Sequence, residues 1–178
     1  MASDDGASPR ELLLEACRRN NTDLLSSLLQ SEPCNNKPEP IAHFLNTSTD
    51  ALGASALHIA AQYGSYEVLD MILDQEGVEI DGLERRDGDT CLHKAVRYCN
   101  DQAQSEWEDG KAVVEILVDA GCDPRIRNKA KLRPIDLVDP RNQELRTVLQ
   151  RAEMQTTMGG DTVEDEDEGP NGPGSESD

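Results

Sequence analysis

Residues 55–64 read SALHIAAQYG, and this stretch decides the fold. Leu57 is large, the two alanines from Ala60 onward are small, and Gly64 stands where a helix would end. Small side chains let a second helix approach closely, and glycine supplies the left-handed conformation that closes a helix. Residues 65–73, SYEVLDMIL, then place apolar side chains at helical spacing. Together the two stretches predict a helix, a tight turn and an antiparallel helix, each with one apolar side.

The same unit recurs along the chain. The leucine, histidine and alanine of the first helix return at 92–95, and the apolar spacing of the second helix returns at 113–118. Weaker copies lie at 13–29 and from Pro134 onward. A period of about 33 residues with this Leu-His-x-Ala pattern is the signature of ankyrin repeats. The chain resembles the ankyrin-repeat family over about residues 8–153. This resemblance implies an all-α repeat solenoid of about four helix-turn-helix units with β-hairpin fingers between them.

We expect a short polar leader over residues 1–7 and one ankyrin-repeat domain over residues 8–154. The domain divides into repeats at about 8–49, 50–83, 84–126 and 127–154. A proline-rich connection follows the first helix pair, and residues 41–45 within it are expected to form one helical turn. An insert near 100–109 interrupts the third repeat. We expect it to lengthen both helices of that repeat, because residues 103–108 contain no glycine or proline.

The end of the chain is predicted to be a disordered acidic tail. The last helix is predicted over residues 144–152, and residues 155–178 contain no lysine or arginine. A segment with this charge and so few apolar residues buries too little surface to fold. The tail would either fold back on basic residues of its own chain or reach a basic client, and the sequence leaves both open.

The charge balance limits the classes of partner. The chain carries a net charge of −19 at pH 7. It has no run of basic residues that could follow a nucleic-acid backbone, so we do not expect direct nucleic-acid binding. A negative field instead attracts basic protein partners. The acids concentrate on the second helices of the repeats and in the insert, whereas many of the bases are predicted near the concave side of the solenoid.

The cysteines and the start of the chain indicate a reducing compartment. Five cysteines occur and none forms a C-x-x-C pair, so we expect free core thiols rather than metal ligands. The first residues lack an apolar leader, and no window is apolar enough to cross a membrane. We therefore expect a protein of the cytoplasm, the nucleus or both, without membrane contact and monomeric apart from its client.

His58 and His93 are the polar residues that recur inside the helix pattern. The ankyrin resemblance implies a structural role, in which each histidine hydrogen-bonds the backbone of the adjacent finger. The sequence contains no nucleophile motif, phosphate loop or functional carboxylate pair. We therefore expect neither an enzyme nor a cofactor or metal site.

Ankyrin proteins bind partners on a concave side that the inner helices and the finger tips form. Tyr63 and Tyr98 hold equivalent places in successive repeats, so they are predicted to form a stripe of residue types common at binding hot spots. Alternatively, the two rings cover neighbouring helix surface. Trp107 lies in the insert and is either an anchor for a partner or a local staple. The full set of predicted contact residues is Arg18, Arg19, Gln62, Tyr63, Arg97 and Tyr98 on the helices, Leu52, Arg86, Asp87, Asp89, Lys129 and Leu132 on the fingers, and Trp107 in the insert.

Two sequence segments carry a resemblance to a narrower group within the family: PEPIAHFLNTST at 38–49 and CDPRIRNK at 122–129. With the acidic end, they make the chain similar to a small group of eukaryotic ankyrin proteins. Members of that group are dedicated chaperones for a newly made small-subunit ribosomal protein. The resemblance implies a basic protein client and a role in ribosome biogenesis. The alternative is a generic ankyrin adaptor or regulator in transcription or signalling, which would bind another protein on its concave face.

Overall fold

The computed structural model describes residues 6–168 of the chain, and its side chains as far as Gly159. Helices occupy most of this part. They are α1 Pro9–Arg19, α2 Thr22–Gln30, α3 Pro38–Thr47, α4 Ala56–Gln62, α5 Tyr66–Leu73, α6 Cys91–Asp101, α7 Trp107–Asp119 and α8 Gln143–Glu168, with short 3-10 helices at Gln104–Glu106 and Pro134–Leu137.

The helices stack in two layers, as the repeat pattern predicts. The inner layer consists of α1, α4, α6 and the 3-10 helix Pro134–Leu137, and the outer layer consists of α2, α5, α7 and α8. The predicted core positions Leu13, Leu57 and Leu92 are all buried between the layers. Because each helix has one apolar side, every repeat buries it against the next, and the core runs along the whole stack.

The connection after the first helix pair forms a ten-residue helix, α3, where one helical turn was expected. Its prolines do not prevent this, because they lie in the first turn, where no helical hydrogen bond is lost. Ile41, Phe44 and Leu45 bury its apolar side. The Asn46 side chain ties the helix to the next repeat, since it donates to the Gly77 carbonyl at 2.9 Å and accepts from the Glu79 N–H at 2.8 Å.

The insert lengthens both helices of the third repeat, as predicted. Helix α6 has 11 residues against 7 in α4, and α7 has 13 against 8 in α5. The two long helices pack very closely where Gly110 faces Cys99. A Cβ on Gly110 would lie 2.6 Å from the Cys99 Sγ and 2.9 Å from its Cα. Glycine is therefore required inside α7, although it disfavours helix.

The last repeat is shorter at its start and longer at its end than predicted. A 3-10 helix of four residues replaces the inner helix, and Arg133 and Asp136 close its first turn where the earlier repeats use a hydroxyl and a histidine. Helix α8 continues to Glu168, so the helix end predicted at Ala152 is wrong. Residues 153–158 contain no glycine or proline to stop the helix. Residues 169–178 of the predicted tail lie outside the described part of the chain.

The fingers are hydrogen-bonded loops. Within residues 6–168 the β structure is limited to an isolated bridge between Thr49 and Ser55, so the predicted β-hairpins do not form strands. In the third repeat the finger closes through the Glu84 N–H to the Asp89 carbonyl at 3.0 Å. Neighbouring fingers also bond to each other, from the Arg85 N–H to the Leu52 carbonyl at 3.2 Å. The chain therefore links its fingers in a row along one edge of the stack.

All five cysteines are buried free thiols. Within residues 6–168 the structure has no helix that is both long and apolar enough to span a lipid bilayer.

Candidate protein-interaction surface

The two repeat histidines hold the fingers against the inner helices. His58 Nδ1 accepts the Ser55 N–H at 3.2 Å, so the proton is on Nε2, which donates to the carbonyls of Gly82 and Asp89 at 3.0 and 3.1 Å. His93 repeats this arrangement with the Thr90 N–H and the Leu132 carbonyl. Burial lowers the pKa of both histidines and favours the neutral ring that this geometry needs.

Asp89 is fully buried, so its predicted place on the contact surface is wrong. Its carboxylate accepts from Arg97 Nε at 2.8 Å and from Asn128 Nδ2 at 2.9 Å, and Lys94 Nζ lies 3.8 Å away. Burial alone would raise the pKa of Asp89, but the hydrogen bonds from Arg97 and Asn128 outweigh it and lower the pKa below its usual value. Asp89 therefore joins the third finger to its helix and to the fourth finger.

Glu84 is a second buried carboxylate in the same finger. It accepts the backbone N–H groups of Arg86 and Asp87 at 2.6 and 2.8 Å, and Lys94 Nζ lies 3.7 Å away. The carboxylates of Glu84, Asp87 and Asp89 come within 4.8 Å of one another, a spacing that could hold a cation. Since Glu84 already binds two backbone N–H groups and Asp89 already binds the Arg97 and Asn128 side chains, we assign the cluster to the shape of the finger.

The inner helices leave a polar row on the concave side. Arg18, Gln62 and Arg97 occupy equivalent places in three repeats, and all are exposed. The bases are not free, however. Arg18 and Arg19 both pair with Glu15, and Arg97 pairs with Asp89. On the inner helices, this row therefore carries neutralised charges rather than a basic patch.

The finger tips differ in how much surface they offer. The Leu52 side chain is 45% exposed, and Arg86 is exposed beside it on the next finger. Lys129 is exposed but its ammonium donates to the Arg86 carbonyl at 3.2 Å. Asp87 and Leu132 are half-buried. Leu52 and Arg86 are thus the finger residues best placed to contact a partner.

The predicted tyrosine stripe does not form. Tyr63 is 48% exposed, whereas Tyr98 folds over the turn that Gly64 makes between α4 and α5. Gly64 has φ +65°, and a Cβ there would lie 2.1 Å from the Tyr98 ring. The missing side chain of Gly64 makes the space that Tyr98 fills, so Tyr98 covers neighbouring helix surface.

Trp107 packs into the insert. It is half-buried against the core, Arg141 lies 5.7 Å from the centre of its ring, and its carbonyl accepts from the Cys99 thiol at 3.7 Å. Its buried indole N–H lacks a hydrogen-bond partner among the described residues. These contacts favour the interpretation of Trp107 as a local staple.

The outer layer carries the strongest unbalanced charge. We call the exposed acids of α5 and α7, together with Asp74 directly after α5, the acidic outer face. Lys111 is the one base in these two helices, and it pairs with Glu108 and Glu144 at 3.2 and 3.6 Å. The acids of this face are Glu67, Asp70, Asp74, Glu108, Asp109, Glu115 and Asp119, all of them exposed.

The comparisons with known proteins identify this architecture. The family model for ankyrin repeats in three copies matches residues 13–128, which is more than half of the chain. The chain belongs to the ankyrin-repeat family. A relative of similar length is the ankyrin repeat-containing protein YGL242C of Saccharomyces cerevisiae, which is 46% identical over 166 residues, covering 90% of this chain and 88% of the yeast protein.

Ankyrin repeats mediate protein–protein interaction, so this ankyrin-repeat protein is a protein-binding scaffold, and nothing in its described residues points to catalysis. Four exposed large apolar residues of the described surface were absent from the predicted set: Tyr66, Leu83, Met154 and Met158. Tyr66 was missed because the second helix of a repeat was interpreted for its apolar side alone. The ring is 39% exposed and lies beside the acid Glu67. The sequence did carry a signal for this surface residue, because Tyr66 is an aromatic residue at the first position of an outer helix and stands next to an acid.

Proposed function

We propose that this ankyrin-repeat protein is a dedicated chaperone for a basic protein client, and that the client is a newly made small-subunit ribosomal protein. The observation that carries the proposal is the acidic outer face. Asp70 on α5, Asp74 directly after it, and Glu115 and Asp119 on α7 are exposed. These four acids face solvent on neighbouring helices, so their negative electrostatic potentials add.

The net charge of the whole chain adds to the negative electrostatic potential of the acidic outer face. The net charge is −19, and the last residues of the sequence are strongly acidic. Such a field raises the rate of encounter with a basic protein and disfavours acidic partners. Because exposed charges are screened beyond about 8 Å at physiological salt, this attraction weakens as ionic strength rises.

A ribosomal protein fits this surface in chemical terms. Before assembly it is rich in lysine and arginine, lacks the RNA that orders it, and binds stray polyanions. A solenoid with an anionic face shields those charges reversibly, and RNA, whose charge density is higher, displaces it. The resemblance of residues 38–49 and 122–129 to the acidic-tailed chaperones supports this assignment. We propose that the protein acts in the cytoplasm, the nucleus or both, as a monomer apart from its client.

The proposal is tested by light scattering. Purified small-subunit ribosomal proteins are diluted to low salt with and without the protein, and an acidic aggregation-prone protein serves as the second substrate. We expect the aggregation of a basic ribosomal protein to be suppressed, less so at high salt, and that of the acidic substrate to be unchanged. Unaltered aggregation of every ribosomal protein at low salt would contradict the proposal.

A matched pair of variants locates the effect. The triple variant Asp70→Asn, Glu115→Gln and Asp119→Asn neutralises part of the acidic outer face. The control Asp23→Asn, Glu32→Gln and Glu39→Gln removes the same charge from exposed positions in the first repeat and α3. We expect the first variant to lose more protection than the control. Equal losses would mean that only total charge matters.

A second function, an adaptor that binds a protein on its concave side, is favoured by one observation. Leu52 and Tyr63 are large apolar residues that stay exposed on that side. A few central residues carry most of the energy of an interface, and truncating one of these hot spots costs about 2 kcal/mol or more. If Leu52→Ala and Tyr63→Ala abolish client binding while the acidic-face variant does not, the adaptor is the better description.

A further inference from the structure

We propose that a pocket between the second and third repeats binds a lysine or arginine side chain of the basic client. This inference rests on the proposed function and names the site through which it acts. The pocket opens at the turn between α4 and α5, on the edge opposite the fingers. We call it the Tyr66–Tyr98 pocket. It is lined by Gly64, Tyr66, Glu67, Tyr98, Asp109, Ala112 and Val113.

The shape of the pocket suits one long side chain. Its volume is about 360 Å³, at the lower end of the range of about 300–1,000 Å³ typical of ligand pockets. Tyr66 comes from the first turn of α5, and Tyr98 from the inner helix α6 lies over Gly64. Two aromatic rings from different helices therefore line one opening.

The charge of the pocket is of one sign. Glu67 and Asp109 contribute a carboxylate each, and neither lysine nor arginine lines it. One carboxylate oxygen of Glu67 accepts a hydrogen bond from the Asn20 side-chain amide at 2.6 Å, and this bond fixes the position of the Glu67 side chain. Asp109 has neither an ion pair nor a side-chain hydrogen bond to any residue within 6–159. Burial and then the negative charges of Asp109 and Glu106 raise the pKa of Tyr98, so the field reaches the ring.

This combination is selective for a cation. An aromatic face attracts an ammonium or guanidinium group, and a carboxylate adds a charge-assisted hydrogen bond. Ala112 and Val113 offer an apolar wall to the methylene stem that carries the charge. An anionic side chain would lose its hydration in this pocket and gain no cationic partner. A neutral polar side chain would lose its hydration and gain no ion pair.

The insert builds the pocket. Helix α5 starts at the repeat turn, whereas α7 starts earlier by an additional turn, and Asp109 lies in that turn. The close packing of Gly110 on Cys99 holds this turn against α6. The third repeat therefore places a carboxylate next to Tyr98 that the second repeat could not provide.

The test uses fluorescence anisotropy with labelled nona-lysine, nona-arginine and nona-glutamate peptides and the full chain. Tyr66→Ala and Asp109→Asn remove pocket groups at exposed positions, so both variants should fold. Glu39→Gln is the control, since it removes one equal charge from an exposed position on α3, a helix that bonds to residues 77–79 beyond the end of α5, whereas the pocket lies at the start of α5. We expect each pocket variant to weaken binding of the basic peptides by about fivefold or more, the control by less than about twofold, and nona-glutamate not to bind.

Two further readouts separate the failure of the pocket from the failure of the function. On addition of nona-lysine, the backbone amide NMR signals of Gly64 and Val113 should shift in the wild type and stay in place in Asp109→Asn. If the protein keeps a ribosomal protein soluble while both pocket variants bind and protect as the wild type does, the pocket assignment is wrong and the chaperone proposal stands. If the wild type neither binds the basic peptides nor protects a ribosomal protein, both are wrong.

Discussion

Replacing Asp89 by alanine should weaken the whole stack, although Asp89 was predicted from its repeat position on the finger to lie on the contact surface. The carboxylate is 0% exposed and binds three partners from two places: Arg97 at 2.8 Å and Lys94 at 3.8 Å on the inner helix α6, and Asn128 at 2.9 Å on the next finger. Its loss therefore affects both the third and the fourth repeats.

The magnitude follows from what each partner loses. Asn128 is buried, and an unsatisfied buried amide costs about 1–3 kcal/mol. The hydrogen bond to the Arg97 guanidinium contributes about 1.5–3 kcal/mol when buried, but the Arg97 side chain is 45% exposed and regains water. Lys94 keeps Glu84 at 3.7 Å. We expect a loss of about 2–4 kcal/mol in the free energy of unfolding, or roughly 4–16 °C in Tm.

The assay is urea unfolding, followed by circular dichroism for the stack and by the fluorescence of Trp107 for the third repeat. Asp87→Ala is the control, because it removes the same charge from the same finger, and the Asp87 side chain has no hydrogen bond to a residue within 6–159. It should change stability by less than about 0.5 kcal/mol. Equal urea midpoints for Asp89→Ala and Asp87→Ala would refute the argument that the buried carboxylate holds the fingers.

Three other predictions concern stability. Leu92 is fully buried, so Leu92→Ala should cost about 2–5 kcal/mol, and an unchanged urea midpoint would show that the core register is wrong. Gly110→Ala should destabilise the protein by about 1–3 kcal/mol although alanine favours helix, because the new Cβ meets Cys99; a stabilised variant in a thermal melt would contradict the close packing. His58 and His93 have pKa values lowered by burial in the folded state, so their contribution is complete above the unfolded pKa of about 6.5. It is lost as the pH falls from there through the folded pKa values, and a thermal midpoint that rose between pH 7 and pH 5 would be inconsistent with neutral rings.

The repeat architecture was predictable because it depends on local patterns. Leu57 and Leu92 recur at a fixed place in the repeat, and that place is in the core. The roles of His58 and His93 also followed from their position, and the structure confirms their bonds to the adjacent finger. A residue that recurs with the repeat period is buried to the same extent in each repeat whenever the repeats make the same contacts.

The departures depend on contacts between units, which periodicity does not report. Asp89 was assigned to the contact surface from its repeat position on the finger, but its partner Asn128 comes from the next finger. Tyr98 looked equivalent to Tyr63, but it fills the space over Gly64 in the preceding repeat. The length of α3 was missed because prolines were counted as helix breakers without regard to their place in the first turn.

The most direct test of a basic client is copurification of the protein from cells, followed by mass spectrometry, with the acidic-face triple variant and its charge-matched control prepared in parallel. The account predicts that a small-subunit ribosomal protein is enriched with the wild type and the control, and is depleted with the acidic-face variant. Enrichment of neutral or acidic proteins alone, equally with all three chains, would contradict it.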